Sequence, residues 1–526
     1  MGYLLHHSVD ESARSTPDHE AFRFEDQSLT YAMLMERANR LAGMLVEAGV
    51  KRSDRVGIYM YKSLDLPVAL YGILKAGAAY VPIDPTAPPA RVQFIIEDCG
   101  IEHLVSDAAH ARKLANLLQG LSTLKKVFGL GRPPNLESSC DFVPWQQVET
   151  FPAEDPAVRV IEQDLAYIMY TSGSTGAPKG LMHTHASGLA YAHLSAREYG
   201  VSGNDRLGNH SPLHFDMSTF EYLTGPLCGA TSVIIPEEVT LFPQSLAALI
   251  EAERLTFWYS VPLALIQLLE QGDIAQRDCS SLRWVLFGGE PFAPKHLNRL
   301  ITLWPDARFS NSYGPAEVNQ CTAYHLPKGE LIEDEAVPLG DVWPGAEGLL
   351  LDEDDHEVSK GQPGELVIRA PTMMRGYWAR PDLNSKAFFR QPLFTDFEKV
   401  FYRTGDLVRE RSDGKLMFLG RKDRMIKIRG YRVELDEIEA AITALPDVAE
   451  AGAVVVNAED GVKKICAVAL GRDGQQIDPD ALKRGIAQRL PAYAVPDILE
   501  CRPELPRTGS GKVDRTALRK EFESRG

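Results

Sequence analysis

Residues 170–180 read Tyr-Thr-Ser-Gly-Ser-Thr-Gly-Ala-Pro-Lys-Gly. Gly173, Gly176 and Gly180 let backbone N–H groups come close to an anion. Thr171, Ser172, Ser174 and Thr175 add hydroxyl donors, and Lys179 adds a positive charge. Together these residues make a phosphate cradle. It is not a Walker A loop, in which a Gly-Lys pair runs into Ser or Thr. Taken alone, the stretch reads better as a flexible Ser/Gly surface loop. The motifs downstream decide between the two.

A cradle of this kind needs a strand to deliver it, and the apolar run at 165–169 supplies one. The flanking chain repeats the pattern. Upstream, the spacing predicts a helix over 29–50, a strand at 55–61, a helix at 64–75 and a strand at 77–82, which is a βαβ unit. A helix at 91–98 and a strand at 103–106 follow, and residues 131–158 read as a surface connection rich in Pro, Ser and acids. Downstream, 257–261, 282–287 and 308–312 are short apolar strands that end in Gly or Pro turns, where open α/β sheets place ligands. Residues 364–370 and 415–420 turn to hairpin patterning. A basic run at 421–432 then opens a small αβ pattern, and we place a domain boundary at Asp423.

The chain has 526 residues, enough for a multi-domain enzyme with a large core. Its net charge of −16 argues against wrapping nucleic acid or lying on an anionic membrane. The seven cysteines form no C-x-x-C pair, so neither a zinc knuckle nor a disulfide framework is expected. No signal peptide and no run of ~20 apolar residues is visible, and a cytoplasmic location is expected. His6-His7 is similar to part of a condensation-enzyme histidine motif, but the Asp-Gly ending is missing and the match is taken as chance.

The ordered set of motifs resembles the adenylate-forming, AMP-binding superfamily, and within it the amino-acid adenylation domains of nonribosomal peptide synthetases. After the loop come Phe-Asp-Met-Ser (215–218), Asn-Ser-Tyr-Gly-Pro-Ala-Glu (311–317), Gly-Glu-Leu-Val-Ile (364–368) and Arg-Gly-Tyr-Trp (375–378). Tyr-Arg-Thr-Gly-Asp-Leu (402–407), Gly-Arg-Lys-Asp-Arg-Met-Ile-Lys-Ile-Arg-Gly (420–430) and Leu-Pro-Arg-Thr-Gly-Ser-Gly-Lys (505–512) complete it. The resemblance covers essentially the whole chain. It implies a large amino-terminal domain of mixed α/β sheets over 1–422 and a smaller α+β lid over 423–526.

It further implies ATP and Mg2+, with Thr171, Ser172, Gly173, Ser174, Thr175, Gly176 and Lys179 at the β- and γ-phosphates and Glu317 as the metal carboxylate. Tyr313 and Asn311 would meet adenine and Asp406 the ribose hydroxyls. Arg421, Gly289, Glu290 and Gly314 would also lie at the nucleotide. Lys512 would reach between the substrate carboxylate and the α-phosphate. Asp423 would be the hinge that exchanges Lys512 for the loop beginning at Lys427, which lines the route of a phosphopantetheine thiol.

The resemblance puts Phe215, Asp216, Met217, Phe220, Ser260, Leu286, Gly288, Ser312, Gln320 and Cys321 around the substrate. An acid at position 216 implies an α-ammonium to pair with, hence an amino acid. Met217 and Phe220 fill one side, Gly288 and Ser312 leave room on another, and Gln320 stands where an apolar residue is frequent. The expected substrate is of modest size with some polarity, or a β-amino acid. Only fourteen residues follow Lys512, so the acceptor is expected to be a separate phosphopantetheinylated carrier protein in natural-product biosynthesis. Coenzyme A is the alternative acceptor, and a non-catalytic nucleotide-binding module is the remote reading.

Overall fold

The structure is a computed structural model that describes residues 2–118, 120–134, 136, 138–173, 177–333, 336–422, 424–457, 463–472, 477–507 and 513–525. The chain divides into two compact units. One comprises Met1–Pro85, Cys99–Tyr170 and Gly180–Lys422, and the other Thr86–Asp98, Thr171–Lys179 and Asp423–Gly526.

Three sheets build the first unit among the described residues. In the largest, Arg206–Asn209, Phe257–Ser260, Trp284–Gly288 and Arg308–Tyr313 run parallel in that order, and Thr322–His325 adds an antiparallel strand. Phe257–Ser260 and Trp284–Gly288 are buried at every position, as parallel strands covered on both faces must be. A second sheet sets Leu165–Thr171 between Lys179–Thr184 and Ala79–Pro82 and continues through Arg55–Tyr59 and His103–Ser106. The third is antiparallel, built on the long strand Phe397–Glu410 with Pro363–Arg369, Phe388–Phe394 and Leu416–Arg421 as its neighbours.

Two sequence expectations need correction. The helix expected from residue 29 begins at Tyr31, because Gln27–Thr30 pairs as a strand with Glu20–Phe24 and the Thr30 hydroxyl caps the helix at Met33 N, 3.2 Å away. The supposed connection at 131–158 contains the strand Asp141–Pro144 and the short helix Trp145–Val148. A four-residue edge strand carries too little alternation to stand out among prolines and acids.

The second unit holds the hairpin Met425–Ile428/Tyr431–Glu434 and a sheet of Val448–Asn457, Lys463–Gly471 and Ile498–Arg502. Helices Leu435–Thr443 and Pro479–Ala487 bury Ile438, Ile442, Leu482 and Ile486 in a core with Ile465 and Ala467. Arg424 and Arg515 both hydrogen-bond the Glu439 carboxylate, which also accepts from Ala453 N at 2.7 Å. Burial opposes that charge, yet the two guanidiniums hold Glu439 below the usual carboxylate range. A buried ion pair at 2.7 Å, Arg91 to Glu437, ties in the helix Pro89–Asp98.

Candidate active site

The cradle starts where the strand Leu165–Thr171 ends. A Cβ on Gly173 would stand 2.0 Å from the Ala177 carbonyl oxygen, so the loop doubles back too tightly for any side chain there. Ser172 Oγ donates to the backbone carbonyl of Arg432 at 2.8 Å, Lys179 is buried, and Thr171 Oγ1 is a buried hydroxyl with no partner among the described residues. Lys427 lies in the strand Met425–Ile428, and its carbonyl accepts from Lys463 Nζ at 3.3 Å. Ser174, Thr175, Gly176, Asp423 and Lys512 lie outside the described residues.

Within the first unit, the strand Arg308–Tyr313 and its exit turn position most of the remaining candidates. Asn311 Nδ2 donates to Pro338 O at 2.7 Å. The Tyr313 hydroxyl donates to one Asp406 oxygen and Arg421 donates to the other. Residues 406 and 421 face each other across two antiparallel strands, which explains why these distant motif residues meet. Arg421 also donates to Thr404 O at 3.0 Å, and Thr404 Oγ1 accepts from Asp406 N at 3.0 Å. Asp406 is 2% exposed, and this fork compensates the desolvation of its side chain. Gly289, with φ of +89°, turns the chain at the end of Trp284–Gly288, and Glu290 follows it, half-buried.

Glu317 is fully buried. Its Oε1 accepts a 2.7 Å hydrogen bond from the Tyr377 hydroxyl, which itself lies 3.3 Å from the Tyr402 hydroxyl. The backbone is fixed too: Met374 N donates to Glu317 O at 2.8 Å. Gly376–Tyr377 pairs with Met182 and Leu181 of the strand that leaves the cradle. His183, on that strand, stacks on Tyr167 at 4.8 Å and donates from Nε2 to Ala316 O at 3.1 Å. Burial pushes His183 down to about 4, so the ring is neutral. No cluster of three metal-ligating side chains occurs among the described residues. A lone hard carboxylate suits Mg2+ that takes its other ligands from phosphate and water.

The residues expected around the substrate start at a tight turn. Ser218 Oγ donates to Phe215 O at 2.6 Å and Thr219 Oγ1 to Asp216 O at 2.5 Å, which pins half-buried Asp216 and Met217. Phe220 then opens a π-helix, Phe220–Thr224, an irregularity frequent at functional sites. Tyr259 is pushed well above the usual phenol range by burial and by the nearby Asp216 carboxylate. Ser260 Oγ accepts from Trp258 Nε1 at 2.8 Å and donates to Val261 O at 3.1 Å. Leu286 and Cys321 are fully buried, Leu286 in one apolar cluster with Phe220, Tyr199 and Tyr259.

A Cβ at Gly288 would fall 2.1 Å from the Ser312 carbonyl oxygen, so glycine is required by the close approach of two backbones. The Ser312 hydroxyl lies 3.0 Å from that of Tyr199, and Gln320 Nε2 donates to the same phenol oxygen at 2.6 Å. A Cβ at Gly314 would likewise meet the Asn319 carbonyl at 1.8 Å. Tyr199, His183 and Thr404 were missed as contributors by sequence reasoning. Tyr377 was quoted within a motif but given no task.

The chain matches the family model for the AMP-binding enzyme over residues 9–378 and that for the AMP-binding enzyme C-terminal domain over 437–512. It is 35% identical over 520 residues to an L-proline–[L-prolyl-carrier protein] ligase of Pseudomonas fluorescens, covering 99% of both chains. It is 34% identical over 510 residues to tyrocidine synthase 3 of Brevibacillus parabrevis, covering 97% of this chain and 7% of that protein. The amide bond synthetase McbA from Marinactinospora thermotolerans superposes with a TM-score of 0.85 at 26% identity, covering 99% of this chain and 100% of its own. The Vibrio cholerae adenylation domain AlmE, solved with glycyl-adenosine-5'-phosphate, shares the fold with a TM-score of 0.85 at 23% identity, covering 100% of this chain and 98% of its own. On the motif order, the two matched models and the shared fold, the chain belongs to the AMP-binding enzyme family.

Proposed function

We propose that the protein activates an amino acid with ATP and passes the aminoacyl group to the phosphopantetheine thiol of a separate carrier protein. A carboxylate oxygen of the substrate forms a bond to the α-phosphorus. The bond from that phosphorus to the bridging oxygen of the β-phosphate breaks, pyrophosphate leaves with the electron pair, and aminoacyl-AMP remains. The thiolate sulfur then attacks the acyl carbon, the C–O bond to AMP breaks, and a thioester forms. Both reactants of the first step are anions, so the protein's contribution is charge neutralisation and positioning.

Each described group has a part in this reading. The Gly173 turn, Ser172 and Lys179 would take the terminal phosphates, and Glu317 would hold Mg2+, whose positive charge would offset that of the phosphates. Tyr313 and Asn311 frame adenine. The ribose hydroxyls reach Asp406 in competition with Tyr313 and Arg421, which occupy both of its oxygens here. Lys512 and Asp423 lie outside the described residues, and the parts that the resemblance implies for them, a bridge from the substrate carboxylate to the α-phosphate and a hinge that exchanges it for Lys427, remain part of the proposal.

Asp216 carries the amino-acid assignment. It is the sole charged residue among the ten expected wall positions, and by the resemblance an acid at this position pairs with the substrate α-ammonium. The relation to a prolyl-carrier protein ligase along the full length of both chains supports the acceptor. The test is amino-acid-dependent exchange of labelled pyrophosphate into ATP, followed by loading assays with carrier proteins and with coenzyme A. Exchange with fatty or aryl acids alone would overturn the Asp216 argument, and loading of coenzyme A alone would overturn the carrier assignment.

A further inference from the structure

One buried hydroxyl joins the residues expected at the two ends of the site. Thr219 is 1% exposed, and its Oγ1 donates to Asp216 O at 2.5 Å while accepting from Asn319 Nδ2 at 2.9 Å. The bond to Asn319 spans 100 positions. A carbonyl can only accept, so the single Thr219 proton is committed to Asp216. The Asn319 atom that meets the hydroxyl must then be a donor, which fixes the amide with its nitrogen on Thr219.

Asn319 is set as firmly from its own side. It lies in the left-handed region with φ of +63°, a conformation that asparagine tolerates better than most residues. Its carbonyl oxygen lies 1.8 Å from where a Gly314 Cβ would stand, so the turn from Gly314 to Asn319, which carries Glu317, closes on itself. Within that turn Val318 N donates to Pro315 O at 2.8 Å. The buried phenol of Tyr167 faces both the Asn319 side chain and the Asp216 carboxylate. Its ring stacks on His183, which holds Ala316 O.

We propose that Asn319 is a positioning residue that couples the two ends of the site. Through Thr219 it keeps the Asp216 turn in register with the Glu317 turn. Whichever partner binds first, amino acid or magnesium–nucleotide, orders its own turn and, through this relay, the other. The second partner then binds at a lower ordering cost, and each raises the affinity for the other by the same factor. This inference rests on the amino-acid reading of the site.

The experiment is calorimetric titration with magnesium and α,β-methylene-ATP, with and without the amino acid that gives the fastest pyrophosphate exchange. The ratio of the two dissociation constants is the coupling factor, about 5-fold or more in the wild type. Asn319→Gly keeps the left-handed backbone without steric strain and removes only the amide. It should abolish the coupling. Thr219→Val, close to threonine in shape, should do the same, and the double variant should add nothing. Thr219→Ser keeps the hydroxyl and should keep the coupling. Hydrogen exchange gives a second readout: the magnesium–nucleotide analogue alone should slow the amides of residues 215–219 in the wild type and leave them unchanged in Asn319→Gly.

No coupling in the wild type, coupling that survives either Asn319→Gly or Thr219→Val, or equal protection of 215–219 in both proteins overturns the inference and leaves the amino-acid assignment standing. Loss of coupling in Thr219→Ser overturns it as well. Failure to exchange with any amino acid overturns that assignment instead. If Asn319→Gly does not fold, Thr219→Val against Thr219→Ser decides the matter.

Discussion

The hydroxyl of Tyr377 donates to the buried carboxylate of Glu317 at 2.7 Å, joining two motifs that lie 60 positions apart. The bond sets where the Glu317 oxygen proposed to hold Mg2+ points. Tyr377→Phe removes one hydrogen bond to a charged acceptor, an effect of about 1.5–3 kcal/mol. The Mg2+ concentration for half-maximal pyrophosphate exchange should rise at least several-fold, with the KM for the amino acid little changed. A magnesium titration of nucleotide binding checks the same shift without turnover.

The fork of Tyr313 and Arg421 on Asp406 should be strongly coupled. Arg421→Leu leaves a carboxylate that is 2% exposed without its cation, which costs about 3–5 kcal/mol of stability. Adding Asp406→Asn should recover much of that loss, because the stranded charge is gone. Denaturant midpoints of the two single variants and the double variant measure the coupling. Both proteins that carry Asp406→Asn should bind ATP at least several-fold more weakly.

Gly288→Ala should lower stability by about 1–3 kcal/mol without changing which amino acid is used. The Cβ collides with the Ser312 carbonyl oxygen at 2.1 Å, so the strain falls on the two backbones. Thermal unfolding paired with the exchange panel separates these two effects.

Acid should unfold the protein earlier than its carboxylates alone predict. Burial lowers His183 and His185 to about 4 and His210 to about 3, against an ordinary value of 6.5. The unfolded chain therefore binds more protons than the native one below pH 6.5. The stability is fully present above that pH and drains away as pH falls through about 4. Each such site contributes a slope of about 1.4 kcal/mol per pH unit inside the window. Urea midpoints from pH 7.5 to 4.5 should show the decline, and His185→Phe should flatten it.

Glu221 behaves in the opposite sense. Burial raises it to about 8, while Asn209 Nδ2 donates to its Oε2 at 3.2 Å. This raised acid supports the fold below pH 4.5, and that support is lost as pH rises toward 8. Glu221→Gln should therefore be least harmful above pH 8, where the native carboxyl is forced to ionise. Comparing unfolding midpoints of the two proteins at pH 6 and pH 9 checks the crossover.

The parallel strands and the cradle were legible because apolar runs ending in glycine turns are local signals. Asp406 and Arg421 were legible as motif residues, although only the strand register shows that they meet. What stayed hidden was the partnership of side chains far apart in sequence. Tyr199 and Gln320 are 121 positions apart, and nothing near either one announces the other. The need for glycine at position 288 is hidden for a related reason. A missing side chain looks like an opening in the sequence, whereas the structure shows two backbones that need the absence.

The π-helix Phe220–Thr224 holds one more residue per turn than the helix that follows it would. Excising a single residue there would rewind the turn and swing every preceding side chain by about 100° around the axis. Phe220 would leave its seat against Tyr199 while all the named motifs stayed intact. A change in length here would reset the wall proposed around the substrate, and no comparison of motif residues would detect it.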